Sequence, residues 1–153
     1  MIILVDANVW LRTSQPDHQQ YEEANRATDS LQDGGHVLAV VPQVLYEFWV
    51  VATRPGAANG LGYSASRAGA DIDDILRVGA LYADDSRILP WWSFLVRQHK
   101  VLGKKAHDAR FVAAMFRHGI SHLLTFNAQD FVRFSEVVVI KPADATRFPP
   151  ATE

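Results

Sequence analysis

Asp6, Glu47, Asp108 and the pair Asn127 and Asp130 stand at the ends of apolar segments or inside them, where an ordinary hydrophobic core does not tolerate charge. Several carboxylates brought within a few ångströms repel one another, and the usual resolutions are protonation or a hard cation held by oxygen ligands. Magnesium or manganese suits such a set. Magnesium takes few protein carboxylates, keeps waters and accepts phosphate oxygens, which points to metal-assisted hydrolysis of a phosphodiester.

Each residue also has a plainer reading. Asp6 follows the uninterrupted apolar run Met1–Val5, a buried strand whose carboxyl end is where open parallel sheets bind ligands. Glu47 is the only formally charged residue between Val37 and Thr53. It either faces something that compensates it, or lies on the polar side of its helix beside Gln43 and Tyr46, or pairs with Arg54. Asp108 precedes Phe111, Val112, Met115 and Phe116 at helical spacing, so its carboxylate shares the apolar face. It serves equally well as an N-cap or as a first-turn acid favoured by the helix dipole. Asn127 and Asp130 follow the apolar run at His122–Thr125 and repeat the strand-then-acid pattern, although both suit local turn bonding. Thr125 adds a hydroxyl at that strand end, as a donor that orients a ligand or simply as a strand residue.

Lys104, Lys105 and Arg110, with Arg97 and Lys100, form a stretch whose only acid is Asp108. Around a metal ligand these bases would position a phosphate backbone, and on a solvated face they would do nothing specific. The six histidines lack zinc-ligand spacing and read as surface residues. Trp10, Phe48, Trp49, Phe111 and Phe116 read as core. Trp91, Trp92 and Phe94 read as buried in the fold or at a dimer contact. No nucleophile elbow and no phosphate-binding glycine loop is present.

The elements that must position these groups alternate in period. We expect strands at Ile2–Val5, Val37–Val41, Arg87–Leu89, His122–Thr125 and Val137–Ile140. Helices are expected at about Asp17–Asp33, Pro42–Thr53, Ser64–Tyr82, Trp92–Val101 and Asp108–His118. This is an α/β chain with a mostly parallel central sheet flanked by helices. Pro42 suits a first helical position, Ser64 an N-cap, and Gly34-Gly35 and Gly119 helix ends. Pro55–Gly62 reads as the most flexible internal stretch. Residues 1–141 read as a single domain and 142–153 as a C-terminal tail.

The bulk numbers bound the rest. A chain of 153 residues suits one domain that buries about 68 to 70% of its unfolded surface. The absence of cysteine excludes disulfides, thiolate zinc sites and cysteine nucleophiles. With no signal peptide or membrane span in view, the expected location is the cytoplasm. A net charge of -2 excludes an overall basic nucleic-acid binder, so local charge must decide.

At Ile3–Leu11, Leu45–Phe48, His107–Ala114 and Leu124–Phe131 the chain resembles the PIN-domain ribonucleases, most of all the VapC-type toxins of toxin–antitoxin pairs. The ordered set of four segments spans nearly the whole chain. The resemblance implies a three-layer PIN-like fold, Mg2+- or Mn2+-dependent endoribonuclease activity on RNA, a homodimer, and inhibition by a cognate antitoxin in the active-site groove. It places Asp6, Glu47 and Asp108 on the family's acid positions, with Asn127 on the fourth and Asp130 nearby. Asp6 and Asp108 are then the expected metal ligands.

Two departures carry expectations of their own. Ala7 replaces a small hydroxyl residue common after the first acid, so a hydrogen bond supporting Asp6 is expected to be missing. Asn127 brings no charge, so one metal is expected to bind firmly, and two equally tight sites in a calorimetric titration without nucleic acid would contradict this. Two other readings compete. A haloacid-dehalogenase-like phosphatase needs a second acid two positions after the first, where Asn8 stands. A catalytically weak PIN-like module would bind RNA or a partner without cutting. Acids such as Glu22, Glu23, Asp71, Asp73 and Asp74 on two helices would either receive a basic antitoxin segment or simply face solvent.

Overall fold

The computed structural model describes residues 1–152. The strands are β1 (Ile2–Val5), β2 (Val37–Val40), β3 (Ala80–Leu81), β4 (His122–Leu124) and β5 (Val138–Ile140). They form one sheet in the order β3-β2-β1-β4-β5, and every pairing is parallel. β1 sits at the centre, with Leu4 opposite Ala39 on one side and Leu123 on the other. Ile3, Leu4 and Val5 are wholly buried, as a strand covered on both faces demands. The chain builds outward from β1 to β3, then returns to the other side of β1 with β4. That reversal opens the crevice at the carboxyl ends of β1 and β4.

Six α-helices flank the sheet: α1 (Ala7–Thr13), α2 (Tyr21–Asp33), α3 (Pro42–Thr53), α4 (Ala65–Val78), α5 (Ile88–Gln98) and α6 (Ala106–Arg117). α1 packs on α2 and α3, α3 on α4, and α5 on α6. Five successive residues of α6, Phe111–Met115, are buried, so this helix is a core element as well as a carrier of Asp108. Pro42 opens α3, Ser64 caps α4 by accepting from the Arg67 amide, and Gly35 and Gly119 take positive φ just beyond helix ends, as the sequence led us to expect.

Several boundaries differ from expectation, each for a local reason. α1 has no counterpart in the sequence reading, because its apolar residues Val9, Trp10 and Leu11 follow directly on those of β1 with only Asp6 as punctuation. The helix expected to reach Tyr82 stops at Val78. Gly79 then passes so close to β2 that a Cβ would lie 2.5 Å from the Val40 side chain, which lets Ala80 and Leu81 pair as an edge strand. The strand expected at Arg87–Leu89 is instead the start of α5, where an Asp85 carboxylate oxygen accepts from the Arg87 amide and Pro90 falls in the tolerant first turn. The Pro55–Gly62 segment folds back on the end of α3, with the amides of Leu61, Gly62 and Tyr63 bonded to carbonyls of Val51, Arg54 and Ala52.

Residues 142–152 pack on the body of the domain. A 3-10 helix over Pro142–Arg147 lies against α2, Ala145 is buried, and the Ala151 amide donates to the Gly34 carbonyl at 2.8 Å. Phe148 sits between the rings of His36 and His122, at 5.3 Å and 5.7 Å. His36, expected at the surface, is buried and bonds the Pro149 carbonyl. Among the described residues no helix is long and apolar enough to cross a membrane.

Candidate active site

Asp6 leaves β1 at the sheet's carboxyl edge and occupies the N-cap position of α1, yet its side chain makes no capping bond. Its Oδ2 accepts instead from the Thr125 hydroxyl at 2.7 Å and from Asn8 Nδ2 at 2.9 Å. Thr125 Oγ1 in turn accepts from Asn8 Nδ2 and from the Asn127 amide, both at 3.0 Å, and Asn8 Oδ1 accepts from the Phe126 amide at 3.1 Å. The ends of two adjacent strands are thereby tied through one carboxylate, one hydroxyl and one amide. The hydrogen bond expected to be missing beside Ala7 is supplied from across the sheet. Thr125, expected to orient a ligand or position substrate, is wholly buried, and its hydroxyl is taken up by Asp6, Asn8 and the Asn127 amide.

Glu47, Asp108, Asn127 and Asp130 line the same cleft as Asp6, a space of about 190 Å³ that also touches Asn8, Gln43 and Phe111. Glu47 lies on α3, one helical turn after Gln43, whose Nε2 donates to it at 2.8 Å and to the His107 carbonyl at 3.0 Å. It does not pair with Arg54, whose Nη2 bonds the Asn59 carbonyl. Asp108 sits in the first turn of α6 without capping it, half-buried, with Lys105 Nζ 3.5 Å away. The same ammonium lies 2.5 Å from Asp130. Asn127 is exposed at the mouth.

The electrostatics follow from that crowding. Burial first, then the nearby Glu47 and Asp108 charges, pushes the Asp6 carboxyl up to about 6, against the opposing Thr125 hydrogen bond. Glu47 and Asp108 are also pushed above the usual carboxylate range, chiefly by burial, with Asp108 raising Glu47 and Asp130 raising Asp108. An acid whose folded pKa is raised stabilises the fold below its unfolded value, near 4, and that contribution is lost as pH rises through the folded value, about 6 for Asp6. In EDTA, unfolding free energy measured against pH should therefore fall across this window. Asp6→Asn should flatten the fall and raise stability at pH 7.5 by up to about 3 kcal/mol. An unchanged slope in the variant would show that Asp6 is not so perturbed.

Of the basic residues, Lys105 reaches the acids. Arg110 is anchored beside them, its Nη1 3.1 Å from Gln43 Oε1 and its Nη2 2.7 Å from Asp84. Lys104 is exposed and does not line the cleft, nor do Arg97 and Lys100. Gln43 and Asn8 are the residues whose role the sequence reading missed. Gln43 stands four positions before Glu47, the spacing at which an amide meets a carboxylate on one helix face. Asn8 Nδ2 donates to both Asp6 and Thr125, which a carboxylate there could not do. Among the described residues, no three His, Asp or Glu side chains stand close enough to enclose a metal ion. Asp6 and Glu47 have donors of their own, while Asp108 and Asp130 share the Lys105 ammonium. The donor set suits a hard cation bound through one or two carboxylates with waters, and it does not make a three-acid cage.

An all-parallel, five-stranded sheet flanked by helices, with acids at the β1/β4 crevice, defines a PIN-like α/β domain, and solved structures share that fold. No protein-family model matches the sequence and no curated protein matches it. The VapBC2 complex of Rickettsia felis, bound to a promoter DNA fragment, superposes with a TM-score of 0.66 at 14% identity, over 92% of this chain and 98% of that chain. Mycobacterium tuberculosis VapC20, described as a sarcin-ricin loop cleaving toxin, gives 0.58 at 22%, over 79% and 86%. FitAcB from Neisseria gonorrhoeae gives 0.62 at 19%, over 92% and 98%. At these identities the likeness establishes the VapC-type fold.

Proposed function

We propose that the chain is a divalent-metal-dependent endoribonuclease acting as the toxin of a toxin–antitoxin pair. The observation that carries this reading is the convergence of Asp6, Glu47, Asp108 and Asp130 on one cleft at the β1/β4 crevice. Asp6 and Asp108 are the residues that would hold Mg2+ or Mn2+, which when bound offsets phosphate charge and acidifies a coordinated water. Thr125 and Asn8 keep Asp6 aimed at the cleft. Glu47, fixed by Gln43, orients the attacking water and takes its proton, a task its raised pKa suits. Asn127 at the mouth offers an amide to the substrate. Lys105 and Arg110, the bases beside the acids, position the strand by its phosphates. The water oxygen forms the new bond to phosphorus as Glu47 takes its proton, the bond from phosphorus to the ester oxygen breaks, and solvent water protonates the leaving oxygen.

The test is cleavage of structured RNA in magnesium, in EDTA and with Asp6→Asn: cutting should be confined to the wild type in magnesium. The absence of a preformed three-acid cage favours a second reading, a module that binds RNA without cutting it, and that module would bind alike in all three conditions. Gln43→Leu is expected to lower kcat by about 10- to 100-fold with little change in KM. The acid limb of its pH profile should move upward, because Glu47 loses a hydrogen bond that favours its charged form. An unaltered profile would leave Gln43 a packing residue.

An antitoxin is supported by a second cleft of about 220 Å³ between α1, α2, α3 and α4, lined by Asn25, Asp29, Asp71, Asp74 and Trp10. Trp10 Nε1 and an Asp71 carboxylate oxygen are buried there without partners. A basic partner segment would find complementary charge along Asp29, Asp71 and Asp74. A small upstream reading frame encoding a DNA-binding amino terminus would support the pair. For the homodimer, Trp91 and Phe94 on α5 and Tyr46 and Val50 on α3 are exposed apolar surface that a second copy would cover. Sedimentation as a monomer at micromolar concentration would contradict that assembly.

A further inference from the structure

Lys105 occupies a position that helix energetics disfavour. It stands at the N-cap of α6, where the positive end of the helix dipole repels a cation. Its side chain reaches away from that helix end to the turn after β4, with Nζ 2.5 Å from Asp130 and 3.5 Å from Asp108. A monovalent cation thus already lies between two of the four acids that line the cleft. The other acids are satisfied differently, Asp6 by a hydroxyl and an amide, Glu47 by an amide. Among the described residues, Asp108 and Asp130 are the cleft acids that have an ion-pair partner. The ammonium is also 44% exposed, at the end of a flexible four-carbon stem.

We propose that Lys105 is a built-in counter-ion that competes with the divalent cation for Asp108, so that loading of metal requires the ammonium to swing out of the cleft. This inference rests on the reading of Asp108 as a metal ligand. In the free protein Lys105 neutralises part of the carboxylate repulsion that would otherwise draw a divalent ion in. Once displaced, the ammonium stands at the mouth of the cleft with no carboxylate to itself, where a substrate phosphate is its natural partner. Metal and RNA therefore favour each other's binding, and the protein without RNA holds its one metal less tightly than the protein with RNA.

Calorimetric titration of Mn2+ into the purified chain, without nucleic acid, tests this. Lys105→Met removes the charge and keeps the stem, and it should bind Mn2+ about fivefold tighter than wild type, as should Lys105→Gln. Lys105→Arg keeps the charge and should remain near wild type. Lys104→Met changes net charge equally at a neighbouring exposed site and should also remain near wild type. Equal or weaker binding in Lys105→Met, with wild-type binding still abolished by Asp108→Asn, would overturn the counter-ion role alone. Binding of Mn2+ that Asp108→Asn leaves untouched, or none in any variant, would overturn the metal-site reading and this inference together.

Discussion

Asp108→Asn is expected to lower magnesium-dependent RNA cleavage by about 10³-fold or more, while the protein stays folded and still binds RNA. The carboxylate is half-buried, shares its cleft with three other acids, and is held above the normal range by burial and by Asp130. Asparagine fits the same space, and removing that charge relieves repulsion in the metal-free state, so a fall in activity cannot be ascribed to unfolding. The measurement is single-turnover cleavage alongside thermal unfolding and RNA binding. Activity within tenfold of wild type would remove Asp108 from the chemistry.

The second large effect is expected at Thr125→Val, through both stability and activity. Valine keeps the volume but removes the shortest donor to Asp6 Oδ2, leaving that oxygen to Asn8 Nδ2 alone, and takes the acceptor from the Asn127 amide beside a wholly buried side chain. Unsatisfied buried groups of this kind cost about 2–4 kcal/mol together. Losing the donor also pushes the Asp6 carboxyl higher, so the acid limb of the activity profile should move upward as the rate falls by about 100-fold. Thr125→Ser retains the hydroxyl and should recover most of both. If Thr125→Val matches wild type in urea unfolding, the network does not hold the strand ends together.

These effects trace back to features that sequence could and could not carry. The buried run ending at Asp6 and the apolar run ending at Thr125 were legible because a strand covered on both faces leaves no other place for a charge. The inward face of α6 was legible from spacing alone, which put Asp108 beside the core. Partner choice was not legible. Thr125 looked like a hydroxyl for substrate because nothing local says that it lies against Asp6, 119 positions away. Gln43 and Asn8 looked neutral for the same reason, since an amide's role is set by what it faces. Local periodicity also misplaced α1, β3 and the start of α5, where a single glycine, proline or acid resets the chain and tertiary contact decides between helix and strand.

A manganese soak of crystals, read by the anomalous difference map, tests the central claim most directly. The account predicts one strong peak in the cleft, between the carboxylates of Asp6 and Asp108, with Lys105 turned away. A map with no peak there, or with its strongest peak at another group of residues, would contradict it.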